Sequence, residues 1–225
     1  MCGANRLAML LLIVLLLPLA VQGAAAAAVD TTAGFTAVPL TEAQFSVQRP
    51  YDVPLEQRYE FAGGVRRMWV YCTDKPHTTT SRTKPRTEIH IMQNYSSGVW
   101  QFEGYGYVPS GTTGVSVMQV FGAPPASGHA TTLMLHVYGG RLVYYRDETR
   151  VVDGDIYDRW FRLNVIHDAD AAELAVFIDG DERLRVGGRG VGAVHYFKFG
   201  VYTQTDPSHR MESRWRDVRV FTKAC

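Results

Sequence analysis

The chain has 225 residues, which suits one domain and leaves room for two only if both are small. It is 46% hydrophobic and 20% charged, which excludes a disordered or fibrous chain, and 12% aromatics with 21 glycines favour sheet over helix. Lys+Arg number 23 against 22 Asp+Glu, a net charge of +1, so the many cation–phosphate contacts of a general nucleic-acid binder are missing.

Met1 to about Ala28 has the layout of a secretory signal. Arg6 supplies the basic start, Leu7 to Val21 is almost wholly apolar, and Gly23 to Ala28 offers small-residue cleavage registers. The apolar run contains Pro18 and falls short of the ~20 residues that a membrane span needs. The expected mature protein is soluble, has no membrane association once the signal is cleaved, and reaches the extracellular space or the vacuole. Removing Arg6, the one charged residue of this segment, makes it formally neutral.

Residues 29–50 read as a polar lead-in closed by Pro50, and 51–225 as one domain. Short segments with period-2 alternation follow one another. They are Met68–Tyr71, Thr87–Met92, Val99–Tyr107, Val115–Phe121, Thr132–Val137 and Leu142–Arg146, then Trp160–His167, Ala175–Ile178, Arg183–Val186, Tyr196–Thr203 and Ser213–Thr222. Gly139-Gly140 and Asp179-Gly180 supply the positive φ of tight hairpin turns. Asp168–Leu174 is the one helical candidate and reads better as a loop. The expected fold class is therefore all-β, an antiparallel sandwich or jelly roll. Cys2 leaves with the signal, so Cys72 and Cys225 are expected to pair in an oxidising compartment. Asn94-Tyr95-Ser96 is a glycosylation sequon, usable if Asn94 is exposed.

Alternation also sorts the faces. Arg86, Glu88 and His90 point one way, Ile89 and Ile91 the other. Tyr196, Lys198, Gly200 and Tyr202 share a face opposite Phe197, Phe199 and Val201, and Gln119 adds a third strand. Such a face, if concave, suits a carboxylated, hydroxylated ligand: Arg and Lys meet carboxylates, and Tyr offers a flat ring with a hydroxyl. The basic stretch Lys75–Arg86 reads as a solvated loop or as an anion-gathering rim. Other chemistry is thin. Gly114-Val115-Ser116-Val117-Met118 lacks the last glycine of a nucleophile elbow. Asp168/Asp170 and the acids of 153–158 lack the ligand order of a calcium loop and read as turn acids. No metal and no cofactor is expected.

Arg86-Thr87-Glu88-Ile89-His90, Gln119-Val120-Phe121 and Tyr196-Phe197-Lys198-Phe199-Gly200-Val201-Tyr202 resemble, in order, the three signature strands of the alginate lyase 2 family, which is similar to polysaccharide lyase family 7. Within it, Tyr51–Leu55, Lys84–Glu88, Trp100–Tyr105 and Tyr157–Phe161 resemble the plant citrate-binding protein group. The likeness runs from about Thr36 to Cys225. It implies a concanavalin-like β-jelly roll with a concave cleft. It also implies that Arg86, Gln119 and Tyr202 engage a uronate carboxylate and move the proton, with Glu88 and Lys198 in support. Two positions depart from the pattern: the motif histidine that serves as base is Phe121, and the second arginine of the first motif is His90.

Two functions follow. One is a carboxylate-binding module, for a citrate-like polycarboxylate or an acidic uronate glycan, held by Arg86, Glu88, His90, Gln119, Tyr196, Lys198 and Tyr202, with lyase activity lost or weak. The alternative is a polyuronate lyase, acting on an alginate- or glucuronan-type chain. In it Tyr202 takes the C5 proton and returns it to the leaving oxygen in a syn β-elimination, Arg86 and Gln119 stabilise the enolate-like dianion, and His90 is a substitute base. A monomer with no nucleic-acid partner is expected in either case.

Overall fold

The computed structural model describes residues 29–223. The signal-like segment and Cys225 lie outside them. Fifteen strands form two antiparallel sheets. In chain order the first are β1 (Thr36–Val38), β2 (Phe45–Gln48), β3 (Tyr59–Ala62), β4 (Val65–Tyr71), β5 (Arg86–Ile91), β6 (Val99–Tyr107) and β7 (Val115–Phe121). They are followed by β8 (Thr131–Tyr138), β9 (Arg141–Tyr144), β10 (Asp147–Asp153), β11 (Trp160–Asp168), β12 (Glu173–Ile178), β13 (Asp181–Gly187), β14 (Tyr196–Thr203) and β15 (Arg210–Lys223). One sheet runs β13–β12–β11–β6–β15–β4–β3, with β1 added on β15. The other runs β10–β9–β8–β7–β14–β5–β2.

The sheets face each other across an aromatic core, because the apolar half of each alternating strand has no other place to escape water. Phe102 and Trp215 from the first sheet meet Phe199 from the second, with rings edge to face at 5.8 Å and 5.5 Å from Trp215. Met68, Ile89, Phe161 and Phe197 complete it, all buried. Both anticipated hairpin turns form: Gly139 and Gly140 have φ of 55° and 85°, and Asp179 and Gly180 have φ of 55° and 95°. The segment after Asp168 is a turn, as the sequence suggests.

Four strands escape the sequence pattern. β1 and β2 fall inside the expected lead-in, and β2 is the edge strand beside β5, so residues 29–50 are not a separate element. β3 is a four-residue edge strand of mostly exposed residues. β10 occupies 147–153 and holds Asp153, expected in a turn; its one fully inward side chain is Val152, too little for an alternating signal.

Cys225, the expected partner of Cys72, lies outside the described residues, and the strand that leads to it sets the distance it must cover. Cys72 follows β4, and its amide donates to the carbonyl of His209 just before β15 begins. The other end of β15, Lys223, lies opposite Val99. The strand's 14 residues span about 45 Å, and the two residues that separate Lys223 from Cys225 reach about 7 Å. A Cys72–Cys225 bridge within this chain would require β15 to leave both of its neighbours.

Candidate functional site

The register of the seven-stranded sheet assembles the candidate residues into rows. Lys198 stands between His90 on β5 and Gln119 on β7, and Tyr202 stands between Arg86 and Ser116. Gln48 on β2 pairs with Glu88. Side chains at these paired positions share the face turned away from the core. Part of this set lines a cavity of about 360 Å³ whose walls include Arg86, Gln119, Phe121, Tyr196, Lys198 and Tyr202.

Glu88 is at the centre. It is 0% exposed, and its carboxylate accepts from Lys198 Nζ, from Gln119 Nε2 and, at 3.3 Å, from Arg86 Nη1. Burial by itself pushes this carboxyl up; the Lys198 and Arg86 charges outweigh it and hold it below the ordinary range. Glu88 therefore touches a ligand only through its three partners. Burial pulls the Lys198 ammonium down, with Arg86 adding to the effect and Glu88 opposing it. Lys198 Nζ also donates to Gln48 Oε1 at 2.8 Å. Two buried cations on one buried anion leave one positive charge uncompensated. Arg86 Nε is buried without an acceptor, and Arg86 lines the cavity.

The aromatic wall is equally ordered. Arg86 lies over the Tyr202 ring at 3.8 Å. Tyr196 stacks on Phe121 at 4.7 Å and 13°, and its other side meets the His90 ring at 3.9 Å. Burial, with Glu88 adding to it, pushes the Tyr196 phenol up to about 12, which leaves it protonated and unfit to act as a base. His90 is drawn below its ordinary value by burial and by Lys198. It is half-buried and supports Tyr196 at the margin instead of lining the cavity.

Further positions differ from the expectations. The candidate face is covered: the loop that leads into β5 brings His77 and Thr83 to the cavity wall, so the basic stretch serves as a rim. His77 Nδ1 is buried without a partner, and burial, Arg86 and Lys198 all depress the ring's affinity for a proton. Gly200 has φ of 137°, and a Cβ there would meet the Thr87 carbonyl oxygen at 2.6 Å and Glu88 Cα at 2.8 Å. The glycine admits the neighbouring strand, not a ligand. Gln48, His77, Thr83 and Met134 were invisible to the motif pattern: Gln48 lies in the lead-in, and His77 and Thr83 on an irregular loop. Asn94, just past β5, is exposed.

The chain matches the alginate lyase family model over residues 38–222. It is 52% identical over 194 residues to a citrate-binding protein of Hevea brasiliensis, covering 85% of this chain and 79% of that protein. Its fold is that of the alginate lyase AlgAT5 from polysaccharide lyase family 7, with TM-score 0.63 at 17% identity over 79% of this chain and 93% of that one. The family 7 alginate lyase A1-II', solved with a product, gives TM-score 0.62 at 17% identity over 79% and 94%. The alginate lyase from Corynebacterium sp. gives 0.59 at 13% over 75% and 82%. A β-jelly roll of two antiparallel sheets, matched by the family model over nearly all its described length, makes this chain a member of the alginate lyase 2 family.

Proposed function

We propose that the cavity binds a compact polycarboxylate of the citrate type, or the carboxylates of a short acidic glycan, without turning it over. The carrying observation is the pairing of an intact cationic floor with an inert aromatic at the position where the family pattern has its base. Arg86 and Lys198 meet a carboxylate by charge-assisted hydrogen bonds, Gln119 keeps their geometry through Glu88, and His77 closes the rim. Phe121 has no proton to move, and its ring is committed to the stack on Tyr196. The likeness to a citrate-binding protein supports the same ligand class. Calorimetry with citrate and with oligouronates at low salt tests the reading: heat that saturates at one ligand per chain supports it, and no heat with any of these anions overturns it.

A second reading is favoured by the Arg86–Tyr202 contact. A phenolate at Tyr202 removes the uronate C5 proton, the C–H electrons form the C4=C5 double bond, the C4–O bond breaks, and the phenol proton goes to the leaving oxygen. Arg86 is placed to stabilise both the phenolate and the developing enolate. The leader-like start supports a compartment reached by secretion for either activity, where the exposed Asn94 is available for glycosylation. Detection of the mature chain in the extracellular fluid or the vacuole, beginning near Val29, tests this; a cytosolic chain retaining Met1 overturns it.

A further inference from the structure

The outer face of the eight-stranded sheet, remote from the cavity, concentrates a second set of cations. Trp215 on β15 is buried in the core, so Arg214 and Arg216 on either side of it point outward. Glu212, 1% exposed, accepts from Arg67 at 2.9 Å and from Arg214 at 2.8 Å, and also from Arg210. Arg67 also reaches Glu60 at 3.8 Å, so three guanidinium groups on two carboxylates leave one positive charge uncompensated at that point. One row further, Arg216 lies over Trp160 at 4.8 Å and over Tyr105 at 5.3 Å. Tyr105 pairs in register with both Arg216 and Arg162. Neither of these arginines forms an ion pair among the described residues.

The aromatic rings here act as planks. Trp69 lies beneath Arg67 and Arg210 at 5.4 Å and 5.8 Å, and Tyr107 lies beneath Arg214 at 5.0 Å. A guanidinium over a ring is restrained by the cation–π attraction, and Arg216, unlike the three that donate to Glu212, keeps its N–H groups for an incoming acceptor. The row from β4 to β11 crosses three strand spacings, about 14 Å, and Arg210 to Arg216 adds about 20 Å along β15. A hollow of about 420 Å³ beside Tyr105 and Arg162 is also lined by Glu103 and Asp217, so a single small anion would gain little there. A chain that repeats its carboxylates engages several arginines at once and gains by multivalency. Nucleic acid suits it less, because the rings that would stack with bases already carry guanidinium groups.

We propose that this outer face is a second binding surface, for an acidic polysaccharide chain, which is held by the ring-supported arginines of β15 and β4 together with Arg162 of β11. It does not depend on how the cavity is read. The test is affinity electrophoresis in gels that contain polygalacturonate, neutral hydroxyethylcellulose or double-stranded DNA. Polygalacturonate should retard the protein, and it should still do so after Arg86→Ala. The double change Arg162→Gln/Arg216→Gln spares the Glu212 cluster and should weaken the retardation at least fivefold with an unchanged melting temperature. Arg141→Gln/Arg150→Gln, at the edge of the other sheet, removes the same charge and should leave it intact. The proposal is overturned if Arg86→Ala abolishes retardation, if Arg162→Gln/Arg216→Gln does not weaken it, if the edge pair weakens it equally, or if DNA retards the protein as strongly as polygalacturonate.

Discussion

Replacing Glu88 by Gln should make the protein less stable and a better anion binder at once. Among the described residues, Glu88 supplies the only negative charge paired with the buried Arg86 and Lys198. The amide keeps the shape and can still accept from Gln119, but it leaves the two cations facing each other without compensation. Breaking a buried pair in this way costs about 3–5 kcal/mol. In a domain of this size each kcal/mol is worth about 2–4 °C, so the melting temperature should fall by about 10 °C. An incoming carboxylate would then take the place of the lost one. With hydrogen bonds to charged groups worth about 1.5–3 kcal/mol, citrate affinity should rise about tenfold or more. Thermal unfolding with and without citrate reads both effects: a lower melting point without ligand, and a larger upward shift with it than the native protein shows. A variant whose melting point and citrate shift both match the native values would refute the idea that Glu88 restrains the cationic floor.

Tyr202→Phe removes one hydroxyl and keeps the ring beneath Arg86. A binder should lose no more than about 0.5–1.5 kcal/mol of ligand affinity in calorimetry, whereas a lyase should lose about 10²–10⁴ in turnover. Thiol titration of the denatured, unreduced mature protein should find Cys72 reactive, since β15 separates it from the chain's end; no reactive thiol would show that the strand pairing near Lys223 is wrong. His136 is 5% exposed with both ring nitrogens unpartnered, and burial lowers its pKa to about 4. The unfolded chain protonates that ring near its ordinary 6.5, so between these values the unfolded state holds the extra proton. Stability from this group is full above about pH 6.5 and is lost as pH falls towards 4, a change of about 3 kcal/mol. His136→Phe should flatten denaturant midpoints measured across that window, and an unchanged slope would contradict it.

What the sequence made legible followed from period-2 alternation. β6, β7 and β14 lie within their predicted bounds because each alternates between the core and an outward face, the cleft for β7 and β14 and the opposite outer face for β6. The same alternation put Arg86, Glu88, Lys198 and Tyr202 on one face, and the register then brought them together. Alternation says nothing about depth, however. Glu88 reads like an outward charge, yet it is fully buried beneath its partners. Nor does it reach residues delivered by other means: Gln48 comes from a short edge strand, and His77 from a loop whose course is set by tertiary packing. The pattern puts Gly200 on the face of Lys198 and Tyr202, but only the close approach of β5 shows why the position needs a glycine. Parity and compartment say that two thiols can pair but nothing of place: β15 carries the chain about 45 Å from beside Cys72 to Lys223, and Cys225 lies outside the described residues.

The central claim is that a lyase-type cleft with Phe121 at the base position binds carboxylates without eliminating. The direct measurement is near-ultraviolet absorbance of the purified native protein incubated with a panel of polyuronates, where each elimination leaves one 4,5-unsaturated sugar. The account predicts a flat trace with every polymer, from the same preparation that gives saturable heat with citrate. Accumulating absorbance that is lost in Tyr202→Phe would contradict it and establish Tyr-based elimination in its place.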